Sequence, residues 1–100
     1  MNTKKLHPIH PGEVLREEFI EPMGMSQRKF ADKIGVTHTR LNQIVNEKRS
    51  ITADTALRLS KALGTTAEFW MNLQARYDLD KTRDESGSKI DKEVRPLAGS

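Results

Sequence analysis

The sequence predicts a small all-α domain in which five short helices are built around a helix-turn-helix, followed by a polar, flexible tail. Three observations predict it. No stretch alternates apolar and polar residues in the two-residue rhythm of a half-buried strand. Helix-starting and helix-ending residues punctuate the first 80 positions at short intervals. One window, 27–46, places small and apolar residues where two steeply crossing helices need them.

The first helix is expected over about 11–20. Pro11 suits a first helical position, where its missing amide would have no partner, and Glu13 suits the positive end of the helix dipole. Val14, Leu15 and Phe19 fall at helical spacing, and Pro22 with Gly24 ends the pattern. Ser26 is a good N-cap for a second helix over 27–34, which Gly35 closes. A third, over 37–47, carries Leu41, Ile44 and Val45 inward. A fourth, over 53–63, starts at Thr52, buries Ala56, Leu59, Ala62 and Leu63, and stops at Gly64. Thr65 and Glu68 resemble a capping box for a fifth over 66–79, which presents Phe69, Trp70, Leu73 and Tyr77. The domain is thus expected to span 1–80. Residues 81–100 have almost nothing to bury apart from a brief apolar return at Val94 and Leu97, and are expected to be flexible.

The second and third helices form one unit. Counting from Gln27, Ala31 is the small residue at the closest approach and Gly35 the bend, while Phe30, Ile34, Val36, Leu41 and Ile44 occupy the buried places. An ordinary helical hairpin shares the apolar rhythm but has no need of Ala31 and Gly35 at this separation. The outward face of the third helix is polar without being strongly charged: Thr37, His38 and Thr39, then Asn42, Gln43 and Asn46. These are side chains that hydrogen-bond base edges in a major groove; an amide such as Gln43 can bond adenine in a bidentate manner.

Charge supports an anionic partner. Residues 25–61 hold eight basic against three acidic side chains, whereas each flank has one more acidic group than basic. Gln27, Arg28, Arg40, Lys48 and Arg49 are expected to contact phosphates, setting affinity and register without choosing sequence. The fold is thus expected to bind double-stranded DNA.

Composition bounds the alternatives. A chain of 100 residues, 35% hydrophobic, makes one modest core rather than a deep catalytic cleft. It has no cysteine, so neither a disulfide nor a thiolate zinc site can hold it, which suits the cytoplasm. There is no apolar run of the roughly 20 residues that span a bilayer. His7 and His10 are separated by prolines and have no third ligand nearby, so no metal is expected. No nucleophile is paired with a base, so neither catalysis nor a cofactor is expected.

His10-Pro11-Gly12-Glu13-Val14-Leu15, the helix-turn-helix, and residues 51–59 running on to Phe69-Trp70-Met71-Asn72-Leu73-Gln74 and Tyr77-Asp78-Leu79 together resemble the HigA-type antitoxins. That group is also described as the VapI or plasmid-maintenance antidote family, within the Xre/Cro-like repressors. The resemblance covers about residues 7–80. It implies a five-helix lambda-repressor-like domain that dimerises and represses its own operon at a palindromic operator. It also implies a partner, a RelE-like toxin that cleaves mRNA. A stand-alone regulator of the same fold without a toxin remains the alternative. Two-fold operators require a homodimer interface, and the fifth helix, outside the reading head, is expected to supply it through Trp70, Leu73, Arg76 and Tyr77, with Trp70 mostly buried.

Overall fold

In the computed structural model, which describes residues 7–98, a histidine starts the first helix. His10 is its N-cap: Nδ1 accepts a hydrogen bond from the Gly12 amide at 2.8 Å. Helix α1 comprises an α-helical turn Pro11–Val14, a wide π segment Leu15–Ile20 and a last α turn Glu21–Met23. It therefore continues past the expected end near residue 20, through Pro22, to Gly24. The wide segment explains this. The Glu21 amide bonds back five residues to the Arg16 carbonyl, and a backbone opened in this way relieves the clash between a proline ring and the preceding turn.

Hydroxyl caps start the remaining helices. Helix α2 is Gln27–Ile34, where Ser26 Oγ accepts from the Lys29 amide. Helix α3 is His38–Val45, where Thr37 Oγ1 accepts from the Arg40 amide. Helix α4 is Ala53–Leu63 behind the Thr52 cap, and helix α5 is Ala67–Glu93 behind the Thr66 cap. Five helices and, among the described residues, no strand make up the fold. The fifth cap sits one residue later than expected: Thr66, not Thr65, binds the Phe69 amide. Thr65 Oγ1 instead accepts the indole N–H of Trp70 at 2.7 Å, satisfying a donor that burial would otherwise orphan.

All five helices feed one core. Trp70 lies at its centre with no exposed surface, tilted against Phe19 at 5.5 Å between ring centroids. Leu15 and Ile20 of α1, Phe30, Ala31 and Ile34 of α2, and Leu41, Ile44 and Val45 of α3 are buried, as are Ala56 and Leu59 of α4. Each fully buried aliphatic side chain contributes roughly 1.5–3 kcal/mol of transfer free energy. One expected core position differs: Ala62 is exposed. Phe69 keeps 38% of its surface in solvent while its ring edge meets Trp70.

The largest difference is at the carboxyl end. Residues 81–93, expected to be flexible, are the second half of α5. Nucleating a helix is costly but extending one is not, and the first half, anchored by Trp70, supplies the nucleus. Side-chain pairs four apart then support the extension: Lys81 with Glu85 at 3.9 Å and Lys89 with Glu93 at 2.7 Å.

Candidate nucleic-acid interface

The reading head is built from its turn outward. Ala31 is completely buried, so α2 and α3 approach closely there. Gly35 takes φ 76°, and its amide and that of Val36 both return to the Ala31 carbonyl, at 2.9 and 3.1 Å. Arg58, reaching across from α4, donates to the Ile34 carbonyl at 3.1 Å and the Gly35 carbonyl at 3.4 Å. It thus satisfies acceptors that the helix end leaves open. Its Nε also binds Asp54 at 2.7 Å. That hydrogen bond, helped by the charges of Arg58 and Arg40, holds the Asp54 carboxyl below its ordinary range.

A second contact fixes α3 from behind. A Cβ on Gly12 would land on the Ile44 carbonyl oxygen, so α1 meets the last turn of α3 backbone to backbone. His10 is buried beside this contact, its ring edge-on to Tyr77 at 4.7 Å. Burial lowers its pKa, and Glu47, Asp78 and a hydrogen bond with the Arg49 backbone oppose the shift.

On this frame His38, Thr39, Asn42 and Asn46 are exposed on α3 and Gln43 is half-buried. Thr37 sits at the cap, with its hydroxyl used on the Arg40 amide. The amides form two hydrogen-bonded groups. Asn46 Nδ2 donates to Asn42 Oδ1 at 3.2 Å, and Asn42 Nδ2 donates to Gln27 Oε1 at 3.4 Å, so the first residue of α2 is tied to the middle of α3. Separately, Arg49 Nε donates to Gln43 Oε1 at 2.8 Å.

Of the residues expected to reach phosphates, Arg28, Lys48 and Arg49 are exposed at the edges of this face, and Gln27 is half-buried. Arg40 is also engaged within the fold. Its guanidinium donates to Thr55 Oγ1 at 3.1 Å and lies 3.8 Å from Asp54, so it ties α3 to α4. Trp70 is a correction: wholly buried in its own core, it has no surface to offer a partner. Leu73 and Tyr77 remain half-buried, and Arg76 is exposed in an ion pair with Asp80 at 3.1 Å.

Three structural side chains had escaped sequence reasoning. The helix-start pattern offered a signal for His10, since it precedes Pro11 where a cap belongs. Gln74 is buried, accepting from the Ile51 amide at 2.8 Å and donating to Asp78. Its signal was a polar residue one turn after Trp70 on the inward stripe. Arg58 gave none, because four residues after Asp54 it reads as an ordinary surface pair. Among the described residues no cluster of His, Cys, Asp or Glu is placed to hold a metal, and no helix is long and apolar enough to cross a membrane.

Comparison with known proteins agrees with this geometry. A helix-turn-helix family model matches residues 15–70. Antitoxin HigA-1 of Vibrio cholerae is 38% identical over 97% of this chain and 90% of its own length. An addiction module antidote protein of the HigA family from Coxiella burnetii is 50% identical, with a TM-score of 0.86 over 92% of this chain and all of that one. The Pseudomonas aeruginosa antitoxin HigA, solved with the higBA promoter, is 43% identical with a TM-score of 0.88 over 91% of this chain and 99% of that one.

Proposed function

This chain belongs to the HigA-type antitoxins of the Xre-like helix-turn-helix family, and from that premise we propose that it is a homodimeric repressor and antitoxin. It binds a palindromic operator by laying α3 of each protomer in a major groove, and it neutralises a RelE-like, mRNA-cleaving toxin encoded beside it.

The observation that carries the DNA reading is the amide face of α3 on a rigid frame. Asn42, Gln43 and Asn46 are presented with Thr39 and His38 by a helix whose back is held by Gly12 and whose turn is held by Arg58. A face merely kept in solvent needs neither amides nor such support. The Pseudomonas aeruginosa antitoxin HigA, solved with the higBA promoter, supports the same use here. Arg28, Lys48 and Arg49 supply phosphate affinity, and Arg40 is assigned to positioning.

The test is binding of the full chain to the DNA upstream of its own gene and to random duplex. Gln43→Ala should lose about 1–3 kcal/mol on the operator and little on random DNA. Equal loss on both would remove Gln43 from base reading. The antitoxin role is tested by co-expression with the neighbouring reading frame; failure both to co-purify and to relieve growth arrest would leave only a stand-alone regulator.

A further inference from the structure

We propose that His10 is a positioning residue for base recognition: from behind the reading head it holds the backbone of Arg49, and through the Arg49 guanidinium it decides which end of the Gln43 amide faces DNA. This rests on the DNA reading above and adds to it a buried residue out of reach of any base.

The two ring nitrogens do different work. His10 keeps only 2% of its surface in solvent, and its Nδ1 accepts the Gly12 amide at 2.8 Å. A neutral imidazole that accepts at Nδ1 carries its proton on Nε2. That proton goes to the Arg49 backbone, in the loop after α3, where only the carbonyl can accept it. A cap needs one acceptor, which Ser26 and Thr52 supply to other helices with a hydroxyl. A second group that reaches a backbone 39 positions further along the chain is what the imidazole adds. Tyr77, edge-on at 4.7 Å, packs the ring in this orientation.

The loop is held on both sides of that contact. Two residues on, the Ile51 amide donates to the buried Gln74 Oε1 at 2.8 Å. Before it, Glu47 takes φ 64°, and the Lys48 amide returns to the Gln43 carbonyl at 2.8 Å. The Arg49 backbone therefore has a fixed place relative to Gln43. From there its Nε reaches Gln43 Oε1 at 2.8 Å, and because a guanidinium only donates, the amide is left with its N–H pair free. The margin is small. A shift of roughly 0.8 Å takes this contact to the ~3.6 Å at which it is no longer a hydrogen bond. An amide released in this way offers its oxygen as well, and admits a donor on the base edge that it otherwise refuses.

Two substitutions separate the nitrogens. Asparagine places an amide oxygen near the position of Nδ1, and glutamine an amide nitrogen near that of Nε2. His10→Asn thus keeps the Gly12 cap and drops the Arg49 contact, and His10→Gln does the reverse. The full chain is titrated with the DNA upstream of its own gene, with that duplex carrying each base pair replaced in turn, and with random duplex. His10→Asn should lower the operator-to-random affinity ratio ~5-fold or more and relax the preference at the base pair Gln43 reads. His10→Gln should keep both, although it gives up the cap. In a Gln43→Ala background His10→Asn should leave the ratio unchanged, because two links of one chain do not add. In the free protein, the NMR signal of the Arg49 Nε–H should move and exchange faster with water in His10→Asn, and stay in place in His10→Gln.

Ratios that fall alike in the two variants, a His10→Asn effect that adds to that of Gln43→Ala, or an Arg49 signal indifferent to both substitutions would reduce His10 to a helix cap and overturn the proposal, with base reading by Gln43 intact. A ratio unchanged by Gln43→Ala alone would overturn base reading and proposal together; the Arg49 signal, recorded without DNA, would then place the fault in the base reading rather than in the His10 contact.

Discussion

Arg49 Nε donates to Gln43 Oε1 at 2.8 Å, and because a guanidinium has no acceptor, this bond fixes the orientation of the Gln43 amide. The oxygen faces Arg49. The end left for a base is the N–H pair, which suits an acceptor edge: guanine O6 and N7, or thymine O4. The sequence alone allowed Gln43 to read adenine through both ends of its amide and gave Arg49 only a phosphate.

The first prediction separates these roles. Arg49→Ala should weaken binding to all DNA and also change the preferred base opposite Gln43, because the released amide can turn its oxygen outward. Binding to an operator series with each base replaced in turn measures this. A uniform loss across the series would return Arg49 to the phosphate group.

Gly12 supports a second prediction, about stability. Its missing side chain lets α1 meet the Ile44 carbonyl, so Gly12→Ala must push α1 off α3. Forcing a methyl against backbone should cost about 1–3 kcal/mol. For a domain of this size, each kcal/mol corresponds to roughly 4–8 °C in thermal midpoint. Operator binding at 25 °C should weaken as well, although residue 12 is not among the DNA-facing side chains. Calorimetry checks the first effect and titration with operator the second; an unchanged midpoint would show that α1 can slide at no cost.

His10 supports a third, about pH. In the fold the ring is buried and its Nδ1 accepts the Gly12 amide, so the neutral form is favoured and the pKa is lowered by burial, against Glu47 and Asp78. The unfolded value is about 6.5. A histidine with a lowered folded pKa contributes stability that is present above the unfolded pKa and lost as pH falls through the folded one. The thermal midpoint should therefore drop as pH falls below about 6.5. His10→Asn, which keeps a capping acceptor and cannot titrate, should start lower at pH 7.5 and lose less across that window. Parallel slopes for the two chains would assign the pH dependence elsewhere.

What the sequence made legible was local. Caps at Ser26 and Thr52, the bend at Gly35 and the small residue at Ala31 depend on neighbours within one turn, and each is in its expected place, whereas Thr37, expected inside the third helix, is its cap. Contacts that join distant residues were hidden. Gln74 serves the Ile51 amide across 23 residues and Arg58 serves Ile34 across 24. Trp70 was read as both core and interface because an apolar stripe does not say whether the surface it meets belongs to the same chain. Residues 81–93 were read as flexible because composition reports what a segment can bury, not what it can extend.

Arg40 gives the last prediction, since the structure and the sequence assign it different work. As a phosphate ligand it would lower the salt dependence of binding when removed, by about 0.9 in the slope of log K against log salt. As a tie between α3 and α4, through Thr55 Oγ1 at 3.1 Å, it contributes to the fold instead. A partly buried hydrogen bond of this kind is worth about 1 kcal/mol. Arg40→Met, which keeps the packing of the stem, should therefore lower the thermal midpoint by roughly 4–8 °C and leave the salt slope of operator binding unchanged. Lys48→Met should do the reverse, reducing the slope by about 0.9 at constant stability. Titrations at several salt concentrations, read beside melting curves of the same two proteins, decide between the roles. A reduced slope for Arg40→Met with an unchanged midpoint would show that the guanidinium leaves Thr55 for a phosphate when DNA arrives.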